Sequence, residues 1–130
     1  MTDLHWLAAT ILLTLLSAFP YVFQRIVRIG FLRTLDNPRI ADAGEVAPWA
    51  QRARCAHANA VENLVAFAPA LIAAHLHNSQ APILATAPPV YFLARLVHYL
   101  VYAAGVPVIR TVAYFVGLGA TLAILSSVLS

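Results

Sequence analysis

The feature that most limits what this chain can fold into is the length of its uncharged apolar runs. Residues 4–23 contain no charged side chain, and residues 50–76, 82–103 and 108–129 are mostly apolar. About 20 such residues are enough for a helix to cross the hydrocarbon of a bilayer. A chain of 130 residues has no globular core large enough to bury four runs of that length. Inside lipid the backbone must satisfy its own hydrogen bonds, so the runs read as helices. Charge agrees: only 10% of the residues are charged, against about 25% in a soluble domain. The expected fold is an all-α integral membrane protein, a single domain over 1–130 built as a four-transmembrane-helix bundle.

The connections set the topology. Those at about 76–82 and 103–108 are short, which predicts antiparallel neighbours. The connection over 24–49 is long and holds Arg25, Arg28, Arg33, Arg39, Asp36, Asp42 and Glu45, so it reads as a solvated loop. Pro88-Pro89 inside the third run predicts a kink or a restarted helix. The first run lacks a basic leader and a small-residue cleavage site, so it reads as a retained span. Every basic residue is arginine. These arginines concentrate on the first connection, with Arg110 beside the third, which places both on the cytoplasmic side and both termini outside. The modest charge of +3, without an aromatic-laced basic run, carries no nucleic-acid footprint. The single cysteine, Cys55, excludes an internal disulfide. His5, His75 and His77 have no Cys or acidic cluster beside them, so no metal site is expected.

Polar groups inside the spans are the candidate chemistry, because a charge there costs roughly 2.5–3.5 kcal/mol. In the second span Arg52, Cys55, Asn59 and Glu62 follow helical spacing and share a stripe, with Arg54 and His57 turned to other sides. In the third, Arg95, His98 and Tyr102 repeat the pattern beside Tyr91 and Tyr99. In the fourth, Arg110 and Tyr114 are one turn apart. All three groups fall near the same end of their helices, which suggests one pocket. Arginines suit carboxylates, which they bind in bidentate fashion, and Glu62 suits an ammonium or pairs with an arginine. A zwitterionic ligand with several carboxylates, such as glutathione, fits. Taken singly, each polar residue has a plainer reading as a helix–helix hydrogen bond or an interfacial anchor.

These residues resemble the MAPEG family, the membrane-associated proteins in eicosanoid and glutathione metabolism, and its small bacterial members in particular. The resemblance rests on the segment Ala56-His57-Ala58-Asn59-Ala60-Val61-Glu62-Asn63, followed by Phe67 and Pro69. It rests equally on Arg95-x-x-His98-x-x-x-Tyr102 with the later Gly105 and Arg110-Thr111. It implies a homotrimer in a bacterial inner membrane, with glutathione as co-substrate bound between subunits towards the cytoplasm. Asn59, Glu62, His98, Tyr102, Thr111 and Arg54 then match glutathione contacts, Arg95 supports the pocket, and Arg28 or Arg25 matches arginines after the first helix. Arg110 matches the catalytic arginine beside the glutathione sulfur. Family members commonly have arginine four residues before the asparagine, where this chain has Cys55. The implied function is a glutathione-dependent transferase or peroxidase acting on lipophilic electrophiles from the surrounding lipid. The alternative is a non-catalytic member that binds lipid or protein. A small multidrug transporter would need an acidic residue in the first span, and there is none.

Overall fold

The computed structural model describes residues 1–129. All regular structure among them is helical, and four stretches are long and apolar enough to span a membrane. The first combines two helices. α1 (Asp3–Leu16) opens on a reciprocal cap: the Thr2 hydroxyl accepts from the His5 backbone N–H at 3.3 Å, and His5 Nδ1 accepts from Thr2 N at 3.2 Å. α1 stops at Ser17, and α2 (Phe19–Ile29) restarts with Pro20 in its first turn, where the missing N–H has no helical partner to lose. The span therefore runs to Ile29 rather than ending at 23. Arg25 and Arg28 ride on its last turns instead of lying in a loop. Gly30, at φ +92, ends the helix in a conformation that only glycine adopts readily.

The connection is also more ordered than a solvated loop. It forms the short helix α3 (Phe31–Leu35) and a 3₁₀ turn (Ile40–Glu45). Asp42 holds it together, with only 1% of its surface exposed. Its carboxylate accepts from Arg33 at 2.7 Å, from Arg25 at 3.1 Å and from the Arg39 backbone N–H at 3.1 Å. The Arg39 N–H, then the Arg33 and Arg25 guanidiniums, hold this carboxyl below its ordinary pKa, against the opposing effect of burial.

α4 (Pro48–His77), α5 (Ile83–Ala104) and α6 (Pro107–Leu129) are the remaining spans. α4 runs through Pro69, and α5 runs unbroken through Pro88 and Pro89, so the third span does not restart. Side-chain contacts fix the directions. Arg52 meets Ala103 and Asn59 meets Arg95, so α4 and α5 are antiparallel. Arg95 meets Tyr114 and Tyr102 meets Arg110, so α5 and α6 are antiparallel. Asp3 pairs with His75 at 2.7 Å and Tyr21 with His57 at 2.8 Å, so the first span opposes α4. Trp6 packs on Phe92 and Tyr99 bonds to Ser17 O, so it runs parallel to α5. Gly105, at φ +83, turns α5 into α6, and Arg52 packs over it while donating to the Ala103 carbonyl at 3.0 Å.

The apolar core occupies the half of the bundle away from the long connection. Leu7, Leu71, Leu84 and Ile124 fill it, and Phe67 stacks face to face on Tyr91 with ring centroids 3.6 Å apart. Elsewhere Ala53, Ala56, Ala94, Ala113 and Gly117 are buried. Small residues let membrane helices approach closely. Many of the large side chains, among them Leu15, Val65, Leu93 and Phe115, point outward. This is the inverse of a soluble bundle and the arrangement lipid permits.

Candidate functional site

The polar half of the bundle is organised around Arg95. It projects from α5 between its neighbours and is 3% exposed. One terminal nitrogen donates to Asn59 Oδ1 on α4 and the other to the Tyr114 carbonyl on α6, each at 3.2 Å. The guanidinium carbon lies 5.2 Å from the Tyr91 ring centroid and 5.5 Å from that of Tyr114, so two ring faces share the charge. Its Nε has no partner among the described residues. The guanidinium fits because position 117 is glycine. A Cβ there would fall 2.9 Å from Nε and nearer still to a terminal nitrogen.

One turn along α5, His98 is buried edge-on against Tyr102, with centroids 5.5 Å apart, and tilts towards Tyr114 at 6.4 Å. Arg110, in the first turn of α6, lies over the Tyr102 ring at 4.5 Å. It has no carboxylate partner among the described residues. Arg95, His98, Tyr102, Tyr114, Asn59 and Arg110 thus form one continuous cluster across α4, α5 and α6. Thr111 is not aimed into it: its hydroxyl bonds to the Pro107 carbonyl of its own helix at 3.0 Å.

The other predicted residues lie on a different side of α4. The stripe read from spacing divides: Arg52 and Asn59 turn inward to α5, while Cys55 and Glu62 are exposed. Arg54 and Cys55 line a cavity of about 630 Å³ between α4, α2 and the folded connection, with Tyr21, Arg25 and Arg39 across from them. Tyr21 is held by His57 at 2.8 Å, and Arg25 is turned towards Asp42. Arg28 is exposed outside the cavity. Arg54, Glu62 and Arg28 make no ion pair among the described residues. The single chain therefore does not assemble the one pocket suggested by the sequence. It carries an arginine-lined cavity on one side of α4 and an arginine–aromatic cluster on the other. Tyr21, Asp42 and Gly117 are additions from the geometry. Tyr21 and Asp42 act across long sequence separations, and Gly117 is one of several glycines with no local mark.

An apolar groove of about 320 Å³ runs beside the cluster between α5 and α6, lined by Val90, Leu93, Val97, Ile109, Val112 and Val116 among others. The described residues contain no group of His, Cys, Asp and Glu able to hold a metal ion.

The layout is thus four spans, with an arginine on α5 bonded to an asparagine on α4 and a second arginine opening α6. The model of the MAPEG family matches residues 4–130, nearly the whole chain. The chain belongs to the MAPEG family. No curated protein and no solved structure matches it. In this MAPEG protein the two segments that carry the resemblance, on α4 and α5, are joined physically by the Asn59–Arg95 hydrogen bond.

Proposed function

We propose that this MAPEG protein is a membrane-embedded, glutathione-dependent transferase or peroxidase for lipophilic electrophiles. The observation that carries the reading is a set of charges with no partner. Glu62, Arg54 and Arg110 stand on membrane helices without an ion pair among the described residues, although such charges are costly in lipid unless a ligand, a neighbour or water receives them. The Arg54 guanidinium suits a carboxylate of glutathione and the Glu62 carboxylate suits its ammonium. Glutathione supplies the reacting sulfur, and a guanidinium beside a thiol favours its thiolate. Arg110 takes that role, with Tyr102 holding its position. The α5–α6 groove gives a lipophile a path from the bilayer to the same end of the bundle.

The two polar sites lie on opposite sides of α4, which supports a pocket completed between copies in a homotrimer. The arginine-rich end is then cytoplasmic, with both termini outside. A second reading, a non-catalytic binding member, is favoured by Cys55, which removes one anion-binding group from this set. Purified protein is expected to bind glutathione calorimetrically and to conjugate a generic electrophile. Arg110→Ala is expected to lower the turnover by about 10²-fold, the scale of losing one charge-stabilising group. Absence of binding at millimolar glutathione selects the second reading. Binding with turnover unchanged in Arg110→Ala removes Arg110 from the mechanism.

A further inference from the structure

α3 is a single helical turn with its polarity sorted. Arg33 points inward to Asp42, whereas Phe31, Leu32 and Leu35 are 59%, 81% and 68% exposed. Ile40, which opens the 3₁₀ turn, is 98% exposed. The segment is held in this arrangement by the three donors on the buried Asp42 carboxylate. Its large apolar side chains are thus fixed outward by the fold. Clustered exposed apolar side chains on a held scaffold mark a contact surface.

Position and charge indicate the occupant. α3 begins directly after Gly30, at the end of the first span, where the bilayer changes from hydrocarbon to headgroups. The same end of the bundle carries Arg25, Arg28, Arg33, Arg39, Arg52, Arg54 and Arg110 against Asp36, Asp42 and Glu45. Arg28, in the last turn of α2, is exposed and has no ion-pair partner among the described residues. Apolar side chains beside an excess of arginine are the combination that seats a segment in an anionic interface. A second copy of the chain fits less well, because it would bring the same excess of arginine against itself.

We propose that α3 and Ile40 form an interfacial foot, set into the headgroup layer and selective for anionic lipid, with Arg28 as a phosphate contact. This assignment is independent of glutathione binding. The test uses the full chain in a Cys55→Ala background, labelled through Leu32→Cys with an environment-sensitive fluorophore and reconstituted in phosphatidylcholine vesicles. Ser79→Cys, in the exposed polar turn at the opposite end, is the reference. The label at 32 is expected to be blue-shifted, several-fold less accessible to acrylamide than the label at 79, and quenched by lipids carrying a shallow nitroxide. Phosphatidylglycerol should increase the lipid quenching, and Arg28→Gln should reduce that increase. Equal acrylamide access at both positions overturns the foot. Protection from acrylamide without lipid quenching overturns it in favour of a protein partner. Indifference to phosphatidylglycerol overturns the anionic preference. Ile40→Cys gives the same readout if Leu32→Cys does not fold.

Discussion

At the scale of single residues, the most consequential contact is the one between Arg95 and the space left by Gly117. A charged side chain in the interior of a membrane bundle needs every available acceptor, and Arg95 finds an amide oxygen, a backbone carbonyl and two ring faces. In reaching them the guanidinium lies close against Gly117 of α6. A methyl group at position 117 meets the far end of a flexible side chain rather than backbone, so Gly117→Ala should displace Arg95 without unfolding the bundle. The expected loss is about 1–3 kcal/mol, the scale for leaving buried polar groups unsatisfied. A double-mutant cycle isolates the cause. Measured by unfolding in detergent, Gly117→Ala should cost far less in an Arg95→Leu background than in the native chain. Equal costs in the two backgrounds would show that Gly117 serves helix packing alone. Arg95 was legible as a buried cation because of its place in an apolar run. Gly117 was not, since a glycine's role here depends on what crosses the neighbouring helix.

At the scale of elements, the first connection shows where sequence pattern is informative and where it stops. The four spans follow from apolar length alone, and α4, α5 and α6 lie within a few residues of their expected ranges. The behaviour of Pro88 and Pro89 did not follow, because a proline inside a membrane helix can be accommodated by its neighbours. The connection was legible only as charged. Its folding depends on Asp42 reaching Arg25 and Arg33, contacts that no local periodicity encodes. The clamp has a pH signature of definite sign. A folded-state pKa below the ordinary Asp value of 3.8 means that the ionised carboxylate stabilises the folded connection. That stabilisation is present above the ordinary value and is lost as the pH falls through the lowered one. Proteolysis at Arg28, Arg33 or Arg39 in reconstituted protein should therefore be slow near neutrality. Amide exchange over 31–45, normalised for its intrinsic pH dependence, should rise as the pH is lowered below about 4. Asp42→Asn should give fast proteolysis at neutral pH and remove the acid-induced step. A step that survives Asp42→Asn would assign the transition to another group.

At the scale of the whole molecule, the question is why the polar residues of α4 face two ways. Within one copy of the chain Asn59 serves Arg95, whereas Glu62 is exposed and Cys55 and Arg54 turn to the open cavity beside α2. A membrane protein gains little from exposing a carboxylate on a spanning helix unless a neighbouring surface completes its environment. Arg110, over the Tyr102 ring and without a carboxylate partner among the described residues, presents the complementary deficit. In a closed ring each interface pairs one face of a subunit with a different face of the next. The two deficits can therefore meet without any residue acting twice. This leads to a test that does not need the assembled structure. Glu62→Ala and Arg110→Ala subunits should each be inactive in glutathione conjugation when purified alone. Co-expressed at equal levels, they should regain activity, because random mixing in the proposed cyclic trimer makes roughly one interface in four wild type. Differently tagged subunits, purified through both tags, confirm that mixed assemblies formed. Mixed assemblies without recovered activity would place Glu62 and Arg110 in the same subunit's share of the site. Recovery of the doubly purified assemblies to about a third of native activity, one wild-type interface in each mixed ring, would show that the site lies between subunits, so that the arginine–aromatic cluster of one copy works with the exposed face of α4 in the next.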